Sequence, residues 1–201
     1  MNNYSATEAD ISSLKQAVSN ILPMSANDFE NIIPLVNKKT VKKGELILRE
    51  NAICQHIFFL CTGLVRMYYL NNEGEEISYR FTTEKNFFVD FQSFLTQQPS
   101  RFFWEALHDS ELLQVSYASV QHIYKLHPSW NHFGRIIAER VYLQLNERVE
   151  MLLFMKPEER YLHILNTNPN LIYQVSLAHL SSYVGVRPES LSRIRKRLSG
   201  K

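Results

Sequence analysis

The chain has 201 residues, 45% of them hydrophobic and 21% charged, with a formal net charge of +2. That is the make-up of a folded protein of one domain or two small ones, and it excludes a disordered chain. Two cysteines, Cys54 and Cys61, are too few for a disulfide framework or a four-cysteine metal or cluster site. With no basic-then-apolar leader and no apolar run of bilayer length, a cytoplasmic protein is expected.

In chain order, Ile11, Leu14, Val18 and Ile21 recur at helical spacing, and Ser25 is placed to cap a second short helix through Phe29, Ile32 and Ile33. From Lys38 the texture changes to short runs rich in β-branched and aromatic residues: 40–41, 46–48, 57–60, 64–69 and 77–81, then 102–107 and 112–116. Gly44, Gly63 and Asn71-Asn72-Glu73-Gly74 punctuate the earlier runs. Several short strands at such close spacing predict an antiparallel barrel or sandwich. A helix over 117–126 should end before His127-Pro128.

The next stretch is the most periodic. Gly134, Ala138, Val141, Leu145, Arg148, Leu152 and Met155 alternate steps of four and three, the seam of a two-helix coiled coil with one polar interruption at Arg148. A single amphipathic helix packed on its own domain is the competing reading, and the off-seam apolar residues Phe133, Ile137, Leu143 and Leu153 fit some packing of that kind. Pro157 then opens a further helix through Tyr161, Ile164 and Leu165. A loop over 166–170 and a short extended segment over 171–175 follow.

The small net charge is unevenly spread. Residues 156–201 carry eight basic and three acidic side chains, a balance of +5, against −3 for the rest of the chain. A basic end on an acidic body suits a polyanion, although a solvated helix end would also account for it. The pattern over 176–198 decides between them. Ser176 caps a short helix through Leu177, Leu180 and Val184, Gly185 allows a tight turn, and Pro188 begins a second helix whose apolar face is Leu191, Ile194 and Leu198. Arg187, Glu189, Ser190 and Arg193 lie off that face near its leading half, so the segment reads as a helix-turn-helix that enters a major groove N-terminus first. Arg193 has the fork to pair with guanine, and Glu189 can accept from cytosine. Arg187 and Ser190 complete the candidate base readers. Ser192, Arg195, Lys196, Arg197 and Lys201 are the candidate phosphate partners, and they would dominate the salt dependence. An i,i+4 surface pair between Glu189 and Arg193 is the plainer alternative.

Gly185-Val186-Arg187-Pro188-Glu189-Ser190-Leu191-Ser192-Arg193 resembles the recognition-helix motif of the CRP/FNR family of transcription regulators. The resemblance extends over nearly the whole chain, through Val41-Lys42-Lys43-Gly44-Glu45, Phe58-Phe59-Leu60-Cys61-Thr62-Gly63, Asn72-Glu73-Gly74-Glu75, the long helix, and Pro157-Glu158-Glu159-Arg160-Tyr161. It implies an α+β protein with three parts. These are an antiparallel, cyclic-nucleotide-binding-like β-roll sensory domain (1–130), a dimerisation helix (131–155) and a C-terminal winged helix-turn-helix (156–201). Within it, Glu189 and Arg193 match the family's base-reading pair. Pro188 stands where the family often has a further Arg, which leaves Arg187 and Ser190 as the nearest substitutes.

The phosphate cassette of that family corresponds to residues 87–92 and 100–106, which contain no glycine to allow close backbone approach to a phosphate. Phe88, Asp90, Arg101 and Phe103 are the candidate effector-pocket residues. An inward Asp90 would repel an anion, and bulky Phe102 and Phe103 follow Arg101, so cAMP and cGMP are not expected to bind. The aromatic cluster around Phe88, Phe103 and Trp104 either fills the roll or lines it for an apolar ligand, and a filled core is the expectation.

Cys54 and His56 are read as strand-edge packing, and the histidines show no metal-ligand spacing, so no cofactor or metal is expected. Nucleophile-elbow, P-loop, dinucleotide and zincin motifs are missing, and the chain is not read as an enzyme. The expected partners are double-stranded DNA and a second copy of the chain, with RNA polymerase open as a third. No effector is named and no membrane is involved. An effector-binding β-roll without DNA contact is the alternative.

Overall fold

The computed structural model describes residues 6–199. Two short helices lead, α1 (Glu8–Ser19) and α2 (Ala26–Ile32), each opened by a capping box, Thr7 with Asp10 and Ser25 with Asp28. Among the described residues, eight strands follow: β1 (Asn37–Val41), β2 (Leu46–Leu48), β3 (His56–Thr62), β4 (Leu64–Leu70), β5 (Glu76–Thr83), β6 (Asn86–Phe88), β7 (Phe103–Ala106) and β8 (Ser110–Ser116). They form two four-stranded sheets, ordered β1-β8-β3-β6 and β2-β7-β4-β5. The β-roll architecture is therefore as the sequence pattern and the resemblance led us to expect. The β3–β4 corner needs its glycine. Gly63 has φ +108°, and a Cβ there would lie 2.1 Å from Ser110 Oγ.

A one-and-a-half-turn helix, α3 (Phe91–Thr96), lies between β6 and β7, and neither it nor β6 was visible in the periodicity. Helices α4 (Tyr117–Leu126) and α5 (Pro128–Phe154) come next, then α6 (Pro157–Thr167), α7 (Leu171–Gln174), α8 (Leu177–Val184) and α9 (Pro188–Ser199). α7 corrects the expected extended segment over 171–175. Its neighbours Leu171 and Ile172 are both buried while Tyr173 is exposed, which a helical turn allows and a strand's alternation does not. No strand follows β8 among the described residues, so the wing of the expected winged helix is not present there.

Chain contacts divide the molecule into two compact units. One takes in the chain up to Met67 together with Phe81–Glu139; the other takes in Tyr68–Arg80 and the chain from Arg140 onward. In the first, Leu14, Val18, Phe29, Ile32, Phe59 and Leu113 pack with Trp130 and Phe133 as one core. A buried ion pair fastens α1 to that core. Lys38 Nζ lies 2.8 Å from Asp10 and 3.0 Å from Glu111. Burial alone would raise the Asp10 carboxyl, but hydrogen bonds from Lys38 and Thr7 outweigh it and hold the group at about 2. Asp28, besides capping α2, accepts from the Ser129 hydroxyl, and its carbonyl accepts from Trp130 Nε1 at 2.9 Å. No helix among the described residues is long and apolar enough to cross a membrane.

Candidate nucleic-acid interface

The second unit holds the basic end of the chain. Ser176 caps α8, its hydroxyl accepting from the His179 amide at 3.1 Å. α8 closes at Gly185, whose φ of +77° places it in the left-handed region and whose amide bonds back to the Ser181 carbonyl at 2.9 Å. Three residues later Pro188 starts α9 with no amide to satisfy. The Arg187 carbonyl accepts the Ser190 and Leu191 amides at 3.0 and 3.1 Å, so Arg187 sits at the entry of the helix. Leu191 and Ile194 are buried together with Leu180 and Val184 of α8. These contacts make α8 and α9 one packed pair joined by a three-residue turn.

That packing turns the other residues of α9 outward. Arg187, Glu189, Ser192, Arg193, Lys196 and Arg197 are exposed, while Ser190, Arg195 and Leu198 are half-buried. Arg193 donates to Ser190 Oγ at 3.3 Å, and no Glu189–Arg193 ion pair forms among the described residues, so both ends of that candidate pair stay available. Arg197 is held differently. Its guanidinium pairs with Glu158 at the start of α6. The pair borders a 550 Å³ groove lined by Lys156, Leu162 and Ile194. Lys201, the remaining phosphate candidate, lies outside the described residues.

Along α5 the exposed apolar residues are Tyr142, Leu143, Leu145, Val149, Leu152, Leu153 and Phe154. Tyr142, Leu145, Val149 and Leu152 fall on one stripe at steps of three and four. Of the seven residues counted into the sequence seam, only Leu145 and Leu152 are exposed. Val141 is half-buried. Arg148 is turned back on its own unit, donating to the Tyr183 carbonyl and stacking 4.1 Å from that ring. Gly134 is covered by Tyr124, whose hydroxyl would stand 2.2 Å from an added Cβ. The open face thus runs through Tyr142 and Val149 in place of Val141 and Arg148, with Ala138 half-buried beyond it.

Of the candidate effector-pocket residues, Phe88 and Asp90 are buried. Phe88 is stacked on Phe58 at 4.9 Å between centroids and tilted on Trp104 at 4.8 Å, and all three rings are buried. Asp90 is buried as the N-cap of α3. Its carboxylate accepts from the Ser93 amide at 3.2 Å and from the Ser100 hydroxyl at 2.5 Å. Ser93 Oγ in turn accepts the Cys54 amide at 2.9 Å and donates to the Gln98 carbonyl at 2.6 Å. Arg101 is exposed and Phe103 half-buried, so the fold does not gather the four candidates into one site. Sequence reasoning missed Ser93 and Ser100, the two partners that let the fold bury an acid here. The only signal for Ser93 was its position three residues after an acidic residue. Burial pushes the Cys54 and Cys61 thiols up to about 11 and about 12, leaving neutral thiols near pH 7. Among the described residues, no group of three or more His, Cys, Asp or Glu could hold a metal.

Residues 38–127 match the family model of the cyclic nucleotide-binding domain. No curated protein matches the sequence. Among solved structures, FixK2 from Bradyrhizobium japonicum superposes with a TM-score of 0.71 at 18% identity, over 82% of this chain and 85% of that one. The c-di-GMP-responsive global regulator CLP of Xanthomonas campestris gives 0.69 at 17%, over 88% and 92%. The Thermus thermophilus catabolite activator protein gives 0.58 at 17%, over 92% and 87%. Residues 38–127 are thus similar to the cyclic nucleotide-binding domain, and the fold resembles that of FixK2, CLP and the catabolite activator protein.

Proposed function

We propose that the chain is a sequence-specific DNA-binding transcription regulator that works as a homodimer and does not respond to cAMP or cGMP. One observation carries the reading: α8 and α9 pack as a helix-turn-helix pair that buries Leu191 and Ile194 and leaves Arg187, Glu189 and Arg193 exposed on the leading half of α9. A helix so presented has the donors and acceptors for direct readout in a major groove, with Ser190 beside Arg193 as a further base contact. Ser192, Lys196 and Arg197, with half-buried Arg195, serve the phosphates. In this reading residues 1–130 are the sensory domain, 131–155 the dimerising helix and 156–201 the DNA-binding domain. The stripe of Tyr142, Leu145, Val149 and Leu152 is the face offered to a second copy, because four apolar residues at coiled-coil spacing stand in solvent.

The similarity to FixK2, CLP and the catabolite activator protein supports the regulator role. The packed Phe58, Phe88 and Trp104 rings and the buried Asp90 support the loss of cyclic-nucleotide response, since a buried acid disfavours an anion beside it. The test is selection of duplexes from a random pool by the purified full chain in dilute buffer, followed by mobility shift. We expect a near-palindromic site whose half-sites lie about one helical turn apart. Failure to retain any duplex overturns the proposal. The match of residues 38–127 to the cyclic nucleotide-binding domain favours a second reading, an effector-binding β-roll without DNA contact. With a small molecule or a protein as its ligand, it predicts that same failure at low salt; a micromolar cyclic-nucleotide affinity by calorimetry separately overturns the loss of cyclic-nucleotide response.

A further inference from the structure

The last turn of α8 is gripped residue by residue from three different elements. Ser182 Oγ accepts the amide of Ser78 on β5 at 3.1 Å and lies 2.9 Å from the Ser78 hydroxyl, and Ser78 is itself buried. The Tyr183 carbonyl accepts from Arg148 of α5, whose guanidinium also covers the Tyr183 ring. The Val184 carbonyl accepts from Arg160 of α6 at 3.1 Å. Arg160 does more than this. Its Nε donates to the Met155 carbonyl at 2.9 Å and its Nη2 to the Leu152 carbonyl at 3.1 Å. One guanidinium therefore satisfies carbonyls at the C-terminal ends of both α5 and α8, where helices leave acceptors unpaired and favour a cation. Gly185 sits against the same group, since an added Cβ would lie 3.0 Å from Arg160 Nη1.

The turn that follows is short and closed. The Gly185 and Val186 amides both return to the Ser181 carbonyl, at 2.9 and 3.0 Å, and α9 begins at Pro188. The direction of α9 is thus inherited from the last turn of α8. We propose that Arg160, together with Arg148 and Ser78, positions the recognition helix without touching DNA, by clamping α8 at Ser182, Tyr183 and Val184. The consequence for DNA rests on the regulator reading above. Ser78 contributes from β5, its amide and hydroxyl both meeting Ser182 Oγ. Lysine cannot replace Arg160, as a single ammonium lacks the planar fork that reaches three carbonyls.

The test uses the full chain carrying Arg160→Lys and, as a milder change that removes only one hydroxyl, Ser182→Ala. Hydrogen exchange without DNA reads the clamp, and binding to a selected operator and to a scrambled duplex over a range of salt reads its consequence. In both variants we expect faster exchange over residues 181–191 with residues 81–127 unchanged. Operator affinity should fall about tenfold for Arg160→Lys, the size of one lost base contact, while scrambled-duplex affinity and salt slope hold. Ser182→Ala should give the same pattern at smaller size. Unchanged exchange over 181–191 in both variants overturns the clamp. So does an equal loss on operator and scrambled duplex, which would mark Arg160 as a plain phosphate contact. If the wild-type chain binds no duplex, the regulator reading fails and the exchange measurement still decides the clamp.

Discussion

Replacing Lys38 by methionine tests the polar fastening of α1. The lysine side chain is 9% exposed and bridges Asp10, 8% exposed, and Glu111, 43% exposed. In the folded chain Asp10 is held at about 2 against an ordinary 3.8. A depressed carboxyl contributes stability that is present above its unfolded value and lost as pH falls through its folded value, here between about pH 4 and pH 2. The contribution is about 2 kcal/mol at ~1.4 kcal/mol per pH unit. Lys38 is raised, chiefly by its hydrogen bond to Asp10, so its share is present below its ordinary 10.5 and is lost only above its folded value. Methionine keeps the stem's packing and removes the ammonium, leaving a buried carboxylate without its cation at a cost of about 3–5 kcal/mol at pH 7. Glu111 turns to water at little cost. Burial then acts on Asp10 with less opposition, the acid protonates more readily, and the loss shrinks as pH falls. Urea unfolding followed by the fluorescence of Trp130, which packs on Phe29 in the same core, measures this at pH 3 and pH 7. A loss below about 1 kcal/mol at pH 7, or an equal loss at both pH values, refutes the reasoning.

Further expectations concern the interface and the roll. Arg193→Ala should cost about 1–3 kcal/mol at a selected site and relax one base position, whereas Lys196→Ala should weaken all duplexes alike and flatten the salt slope by about one; footprinting and salt titration separate the two. Glu158→Gln frees Arg197 from a surface pair worth less than about 1 kcal/mol, so non-specific affinity should rise about twofold and never fall, as measured by fluorescence anisotropy. Phe88→Ala removes the middle ring of a buried stack and should cost about 3–5 kcal/mol in denaturant unfolding. Calorimetry on that variant should still show no cAMP binding, because Asp90 remains.

Local signals carried a large part of the fold. Ser25 and Ser176 cap helices, Gly185 turns and Pro188 begins a helix where the residue types required it. Tyr117–Leu126 is helical over the range its pattern set. Two features were illegible for a physical reason. β6 is three residues long and α3 six, too short for a period to show against noise. The 171–175 segment misled because Ile172 and Val175 are β-branched, a preference that burial of adjacent Leu171 and Ile172 overrides. At the interface, exposure follows from the apolar face of α9 and was readable. The diversion of Arg197 to Glu158, 39 positions earlier in the chain, was not.

Arg148 shows where reading along one element stops. In the heptad count it was a polar interruption of a seam, because periodicity asks only which residues of a helix share a face. The fold gives it a different task, since its carbonyl and ring partners belong to Tyr183, 35 positions later. Without a wing between α6 and α8, no strand pair braces the helix-turn-helix among the described residues. In the proposed reading, side chains that reach it from α5, α6 and β5 supply the rigidity that base readout demands. Arg148 leaves the exposed stripe of α5 apolar because the stripe and the brace use adjacent faces of one helix. Anything that rotates α5 to tighten the seam through Leu145 and Val149 also moves the anchor of Tyr183. If two copies associate through that stripe, as proposed, their association and the aim of α9 depend on the same 27-residue helix.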